Sequence, residues 1–204
     1  MIRSLLFLLG VITFSARAFA DDPAAMTEAL AWLHALPKLG GMVNKGLEPD
    51  RFQKLTLNEL KTLKEMQIGG HAYLENGKLG PHLKLPEDDY HHLIALPALE
   101  TLKFPENDLG DEALVHIGKI KTLRSLQLME NKFTNDGLNH LAGLKELKHL
   151  DLSWNQQLND LCVPNLTQLT QLQELNLFQT KISADGVKRI ESALQHCKVI
   201  TTKP

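Results

Sequence analysis

The sequence has 204 residues, which is enough for one domain with its own hydrophobic core. Hydrophobic residues make up 43% and charged residues 23%, a balance that excludes collagen-like, low-complexity and unfolded classes. The net charge of −2 provides no basic stripe for nucleic acid or for an anionic membrane surface.

The first 20 residues have the layout of a cleavable secretory signal peptide. Arg3 gives a positive start, residues 5–14 are apolar but too few to span a bilayer, and Ala18-Phe19-Ala20 resembles a cleavage site. We expect cleavage after Ala20; an uncleaved anchor or a buried helix is the alternative. Cleavage removes two arginines and leaves a net charge of −4, so we expect a secreted or periplasmic protein that is not embedded in a membrane.

Residues 21–56 are predicted to form an N-terminal helical cap. Leucines recur at helical spacing after Asp21-Asp22-Pro23, and Gly40-Gly41 ends the helix. These leucines are Leu30, Leu33, Leu36 and Leu39.

Leucine supplies 40 of the residues, which points to one packing position that is used repeatedly. The repeated phrase is L-x-x-L-x-x-L-x-x-L-x-L, and a weakened copy begins at Leu57. Four full copies follow at intervals of 24, 24 and 25 residues, beginning at Leu93, Ile117, Leu141 and Leu166. A polar residue stands three places after the last apolar position of each full copy: Asn107, Asn131, Asn155 and Thr180.

This pattern resembles the leucine-rich-repeat family. Its motif L-x-x-L-x-L-x-x-N stands at residues 99–107, 123–131 and 147–155, and at 172–180 with Thr180 in place of Asn. The spacing is similar to the short, ribonuclease-inhibitor-like repeats and to exported bacterial members of the family. The resemblance implies an α/β solenoid, or horseshoe, over residues 57–197, followed by a C-terminal tail over 198–204.

The repeat has a direct physical interpretation. In L-x-L both leucines point to one face of a strand, and stacked copies bury that face in a parallel concave sheet with short convex helices behind it. The recurring Asn is predicted to bond backbone groups of the turn and to form a polar ladder. One aspartate in each copy is predicted to be the N-cap of the convex helix: Asp111, Asp136, Asp160 and Asp185.

Residues 69–85 form an insert that lengthens one repeat interval. The segment from Tyr73 to Leu79 is predicted to be a hairpin with an Asn76-Gly77 turn. A degenerate repeat without its helix is the alternative.

The side chains between the leucines are the candidate binding residues of the concave face. Met129, Trp154 and Phe178 fall on neighbouring strands near the Asn turns, and such clusters are typical of interface anchors. The alternative for Trp154 is that it folds over the turn at Gln156-Gln157 and only packs. The full candidate set is Lys103, Gln127, Met129, His149, Asp151, Trp154, Asn176 and Phe178.

The nine histidines raise the question of a metal site. His92, His116 and His140 recur at one position of the repeat, on convex helices about 8–10 Å apart, which is too far for one tetrahedral zinc. Weaker combinations are His71 with His82 across the insert, and His91-His92 with Asp88-Asp89. We predict no metal and no cofactor.

No catalytic constellation is evident. His149 and Asp151 face the same side of one strand, but no nucleophile accompanies them, and no phosphate-binding loop, G-x-S-x-G or H-E-x-x-H motif occurs. Cys162 and Cys197 are interpreted as free thiols, with a bridge between them as the alternative. Asn165 lies in a glycosylation sequon.

We therefore predict a non-catalytic scaffold, secreted or periplasmic, that recognises a protein partner through its concave face. We expect a monomer that binds no nucleic acid. One alternative is a metal-dependent binder or hydrolase that uses the histidines of residues 69–92. Another is a structural envelope protein that self-assembles.

Overall fold

The computed structural model describes residues 22–35, 55–69, 71–73, 79–82 and 85–202. Several predicted features lie outside these residues. They are the signal peptide with its cleavage site, the continuation of the first helix through Leu36 and Leu39 to Gly40-Gly41, and the Asn76-Gly77 turn.

The described residues contain eight short strands. They are β1 (Glu65–Gln67), β2 (His71–Tyr73), β3 (Leu79–His82), β4 (Thr101–Lys103), β5 (Ser125–Gln127), β6 (His149–Asp151), β7 (Glu174–Asn176) and β8 (Lys198–Ile200). Six of them form one parallel sheet in the order β1-β4-β5-β6-β7-β8, while β2 and β3 pair antiparallel with each other. The parallel sheet confirms the predicted α/β solenoid.

The leucine spacing sets the register of the sheet. The central residue of each strand pairs with the central residue of the next, from Met66 through Leu102, Leu126 and Leu150 to Leu175, and each of these five side chains is at most 2% exposed. A single three-residue strand could not bury such a side chain, so the interior exists only because the coils stack.

Short helices line the convex side. Near the N-terminus, the chain forms α1 (Pro23–Ala35) and α2 (Leu57–Lys61). The convex helices that follow are the 3-10 helix Glu87–Ala95, α3 (Asp111–Ile117), the 3-10 helices Gly137–Gly143 and Asp160–Cys162, α4 (Val163–Leu166) and α5 (Ala184–Ala193). They bury one apolar stripe against the sheet, including Leu114, Leu138 and Val163.

The first helix, α1, packs on the convex 3-10 helix Glu87–Ala95. Trp32 Nε1 donates a hydrogen bond of 3.1 Å to Asp89 Oδ2, and the Trp32 ring stacks on His92 with 5.4 Å between the ring centres. Met26 and Leu33 are buried in the same contact. The contact joins α1 to the core of the repeats.

The asparagines that recur in the turns after the strands form the predicted polar ladder. Asn131 Oδ1 accepts hydrogen bonds from the backbone N–H groups of Asn107 and Leu109, at 3.1 and 3.0 Å. Asn155 Oδ1 accepts from Asn131 N–H at 2.9 Å, so each rung ties one coil to the coil before it. Thr180, which replaces the fourth Asn, bonds only within its own turn through Leu177 O.

The prediction that the aspartates are N-caps is wrong for three of the four: only Asp136 is at an N-cap position, and its side chain makes no cap bond. The capping side chains are those of Asn159, which accepts from Leu161 N–H, and Ser183, which accepts from Gly186 N–H. Asp160 instead lies inside the first turn and accepts from the backbone N–H and the hydroxyl of Ser183 in the next coil, at 2.7 and 2.6 Å. Asp111 makes the same pair of bonds to Thr134, while Gly110 and Asp136 occupy their N-cap positions without a side-chain cap bond. Two of the aspartates therefore cross-link coils.

Residues 198–200, assigned to the tail from the sequence, form the sixth strand of the parallel sheet. Val199 pairs with Leu175 and continues the register of the sheet. The position was missed because Thr201 stands where earlier coils carry the second Leu or Phe of the strand motif.

The antiparallel pairing of β2 and β3 agrees with the hairpin predicted for the insert, in which His71 and His82 are backbone partners. The first copy of the repeat departs from the pattern, because Leu57 is 40% exposed at the start of α2.

Candidate protein-binding surface

The strand register arranges the candidate residues in rows across the concave face. Thr101, Ser125, His149 and Glu174 are paired neighbours in one row. Lys103, Gln127, Asp151 and Asn176 form the next row, also as direct partners. The sheet thus brings five of the eight predicted binding residues into two adjacent lines, because the residues that flank each buried central leucine point to the opposite face.

Three of these side chains have partners within the protein. Lys103 Nζ forms a 2.5 Å ion pair with Glu65 Oε1 of the neighbouring strand. Asp151 Oδ1 accepts from Ser153 N–H at 2.8 Å, and Asn176 Oδ1 accepts from Phe178 N–H at 3.1 Å, which closes the turn after each strand. The alternation of a strand predicts the face of a side chain but not these local bonds.

The residues two positions after the end of each strand form a third row, and their side chains are partly or fully buried. Pro105, Met129 and Phe178 are half-buried, whereas Ser153 is fully buried. Met129 and Phe178 are therefore separated by a coil that presents no apolar side chain in this row. The apolar cluster predicted from the sequence is concentrated on the two coils that contain β6 and β7.

The next row has an unusual backbone. Glu106, Glu130, Trp154 and Gln179 each directly precede the Asn or Thr of their turn, and all have positive φ, between 52° and 62°. A β-carbon makes this conformation unfavourable by about 1 kcal/mol, so a bulky residue here is uncommon. The backbone N–H groups of Glu106, Glu130 and Trp154 each donate to a carbonyl of the next coil, which holds the conformation in place.

Trp154 is the most prominent apolar side chain of this surface. Its side chain is 45% exposed, and its ring meets the ring of Phe178 edge-on at 5.5 Å between centres. The pair joins two coils and leaves a large part of the indole in contact with solvent. Trp154 thus packs on Phe178, and in the Gln156-Gln157 turn Gln157 Nε2 bonds the carbonyls of Asn131 and Phe133.

Three histidines of the convex side lie close together, and one of them, His92, also contacts the first helix through Trp32. His91 and His92 lie 3.9 Å apart between ring centres, and His116 lies 6.4 Å from His91. Burial lowers the pKa of His92, and His91 lowers it further, against Asp89 and Glu28, which raise it. Among the described residues, no group of three or more His, Cys, Asp or Glu side chains is placed to hold a metal ion.

Cys162 and Cys197 are free thiols. Burial raises the pKa of the Cys162 thiol to about 12 and that of Cys197 to about 11. With such pKa values, both thiols are protonated at neutral pH and are expected to react slowly. Cys162 lies in the core, and Cys197 is half-buried beside β8.

The comparison with protein families agrees with the repeat geometry. A family model described as Leucine Rich repeat matches residues 119–142 and 145–161. These matched residues are leucine-rich repeats. The leucine-rich-repeat fold generally mediates protein–protein binding, and proteins of this family are typically non-catalytic scaffolds. No curated protein matches the sequence.

Several solved structures are similar to part of the chain. A leucine-rich-repeat protein of Leptospira interrogans is 28% identical with a TM-score of 0.42, covering 57% of this chain and 28% of that one. An internalin (inlF) of Listeria monocytogenes is 19% identical with a TM-score of 0.39, over 55% of this chain and 36% of that one. The tropomodulin C-terminal domain of Caenorhabditis elegans is 17% identical with a TM-score of 0.47, over 68% and 89%. This leucine-rich-repeat chain matches well under half the length of the first two proteins.

In the described part of this leucine-rich-repeat protein, no helix is long and apolar enough to cross a membrane.

Proposed function

We propose that this protein is an exported, non-catalytic scaffold that binds a protein partner through its concave face, with Trp154 and Phe178 as the anchor. The observation that carries the proposal is the half-exposed indole of Trp154, seated edge-on against Phe178. Export rests on the signal-peptide pattern of residues 1–20, and a monomeric state is part of the same proposal.

The anchor has the chemistry of an interface hot spot. An indole offers a large apolar surface at a small cost in side-chain entropy, and here Phe178 restricts it further. Polar residues hold the equivalent row position on the two adjacent coils, Glu130 before Trp154 and Gln179 after it. An apolar centre with a polar rim is typical of specific protein interfaces.

The exposed part of the Trp154 indole supports a role in binding. The turn needs a left-handed residue at this position, and a residue with a β-carbon costs about 1 kcal/mol there. The edge-on contact with Phe178 contributes about 0.5–1.5 kcal/mol, which offsets that cost. The exposed part of the ring contributes to neither, and a partner that covers it would account for a large apolar side chain at this position.

The test compares Trp154→Asn with the native protein. Asn suits the left-handed backbone, so the turn and the melting temperature should be preserved while the ring is lost. In crosslinking and pull-down from the compartment in which the protein is found, we expect the recovered partner to fall at least about tenfold, as for a hot-spot residue. Leu161→Ala is the matched control, because Leu161 is 75% exposed and lies on the 3-10 helix Asp160–Cys162, outside the concave rows.

Undiminished recovery of the partner by Trp154→Asn, or an equal loss in the Leu161→Ala control, would contradict the assignment of the anchor. Light scattering at high concentration checks the expected monomer. An oligomer that Trp154→Asn dissociates would favour self-assembly instead.

A further inference from the structure

Two carboxylates come close to the residue that precedes Trp154. Glu130 N–H donates to Ser153 O at 3.0 Å, which places Glu130 beside the peptide group that joins Ser153 to Trp154. Asp151 Oδ1 accepts from Ser153 N–H at 2.8 Å, which holds this carboxylate at the turn end of β6. Glu130 is exposed and Asp151 is half-buried. The exposed indole therefore has acidic side chains near it on its own coil and on the coil before.

The lysines and arginines of this surface do not neutralise the two carboxylates. Three lysines of the concave rows and their turns have acidic partners of their own: Lys103 with Glu65 at 2.5 Å, Lys132 with Asp108 at 2.9 Å and Lys198 with Glu174 at 3.9 Å. Arg124 and Lys148 directly precede β5 and β6, so the length of a strand separates them from the turns. Within the described part of the chain, neither Glu130 nor Asp151 forms an ion pair.

Two further titratable groups belong to the same rows. Glu106 stands in the row of Trp154 but two coils earlier, where it adds negative charge. His149 is the first residue of β6, at the opposite end of the strand from the turn. The surroundings of the indole are therefore acidic.

Phe178 covers at most one face of the Trp154 indole. The two rings are nearly perpendicular, at 88°, with 5.5 Å between their centres. In such a pair the edge of one ring meets the face of the other, so at least one face of the indole does not contact Phe178. An indole face attracts a cation more strongly than the face of Tyr or Phe does.

The charge beside the ring selects the side chain that would cover it. A purely apolar side chain would take Glu130 and Asp151 out of water without giving either a partner, which is unfavourable. A guanidinium stacks on an aromatic face and carries five N–H donors in its plane, so it can contact the ring and bond the carboxylates together. The ammonium group of lysine is more strongly hydrated and has no plane to stack.

Building on the function proposed above, we propose that the partner presents an arginine to this anchor. Its guanidinium stacks on the free face of the Trp154 indole and pairs with the carboxylates of Glu130 and Asp151. The partner is therefore basic where it meets the turns after β5 and β6. Trp154 and Phe178 supply apolar contact area, and the two carboxylates supply the preference for a cation.

The first experiment detects the cation site without the partner. The chain has two tryptophans, Trp32 and Trp154, so the ¹⁵N-labelled protein gives two indole N–H signals in its NMR spectrum, and Trp154→Asn assigns the second by removing it. N-acetyl-arginine amide should shift the Trp154 signal, whereas N-acetyl-citrulline amide, which has the same shape without the charge, should shift it about tenfold less at the same concentration. Trp32 is 8% exposed, so its signal should not move.

The second experiment removes the carboxylates and keeps their shape. In Glu130→Gln plus Asp151→Asn, the Asn oxygen can still accept from Ser153 N–H. We expect the arginine probe to lose its effect on the Trp154 signal and the recovered partner to fall about tenfold. Glu146→Gln plus Glu191→Gln is the matched control, because it removes the same charge from two exposed positions outside the concave rows. If thermal melts show that the double variant is unfolded, Glu130→Gln alone replaces it.

The outcomes separate this proposal from the function on which it rests. If Trp154→Asn loses the partner while Glu130→Gln plus Asp151→Asn recovers it fully, the anchor stands and the arginine is wrong. If Trp154→Asn keeps the partner, the proposed function is wrong, and the arginine of the partner is wrong with it. The cation site itself is overturned if the arginine probe leaves the Trp154 signal unmoved, if the citrulline probe shifts it equally, or if the double variant responds as the native protein does.

Discussion

The Asn ladder allows the most quantitative prediction, through the substitution Asn131→Ala. Asn131 Oδ1 is the acceptor for the buried N–H groups of Asn107 and Leu109. Its Nδ2 donates to the carbonyls of Phe104, Leu128 and Met129, at 2.8, 3.0 and 3.0 Å. The variant removes all five bonds, but their consequences are unequal.

Two of the three carbonyls keep another donor. Leu128 O also accepts from Asn155 Nδ2, and Met129 O also accepts from Glu106 N–H. The principal cost is therefore two backbone N–H groups without an acceptor, at about 1–3 kcal/mol each, together with the carbonyl of Phe104. We expect a loss of about 3–5 kcal/mol, which is a large part of the stability of a domain of this size.

Urea unfolding followed by far-UV circular dichroism measures this loss, with Thr180→Ala as the comparison. The Thr180 hydroxyl donates one 2.8 Å bond to Leu177 O, and that carbonyl keeps the N–H of Thr180 as a donor. Thr180→Ala should therefore cost about 1 kcal/mol or less. The reasoning is refuted if Asn131→Ala costs no more than Thr180→Ala, since buried donors would then not decide the stability of the turns.

Three further predictions follow from other contacts. Gly137→Ala should lower the melting temperature, although Ala favours helices, because the added Cβ would overlap Asp111 Oδ1. Gly110→Ala is the control and should change the melting temperature little, because no atom lies within 4 Å of its added Cβ. Equal melting temperatures of the two variants would contradict the overlap. The fold holds the pKa of His92 below 6.5, so unfolding takes up a proton when the pH is below that value. The contribution of His92 to stability should therefore be fully present above pH 6.5 and be lost as the solution is acidified. His92→Gln should reduce that loss in a series of thermal melts and the exposed-site change His140→Gln should not, whereas an unchanged slope in His92→Gln would count against it. With thiol pKa values of about 12 and 11, Cys162 and Cys197 should react slowly with Ellman's reagent at pH 8 in the folded protein, and Cys197 should react before Cys162. Both should react rapidly in urea. A Cys162–Cys197 bridge would instead yield no free thiol even in urea.

The sequence was sufficient for the sheet because its register follows from the repeat itself. Intervals of 24 and 25 residues place Leu102, Leu126, Leu150 and Leu175 at equivalent points of successive coils, and a buried leucine at each point permits only one pairing. The Asn ladder was predictable for the same reason. Each Asn occupies one position in one kind of turn, so its partners recur.

The errors arose where a side chain had two possible partners nearby. An aspartate at the start of a helix can cap its own helix or bond the next coil, and the spacing does not distinguish the two. The structure has Asp160 bonded to Ser183, while Asn159, one residue earlier, supplies the cap. Similarly, strand alternation places Asp151 on the concave face but does not predict that Ser153 N–H occupies one of its oxygens.

In the row before each turn, the fold determines the backbone position, whereas function depends on which side chain stands there. The left-handed position before each turn is required by the fold, since it recurs at Glu106, Glu130, Trp154 and Gln179. The backbone therefore determines where these four side chains project but not what they are, and their chemistry differs from coil to coil. The indole of Trp154 differs from the other three side chains because it is large, apolar and 45% exposed, and the partner contact that we propose would bury it.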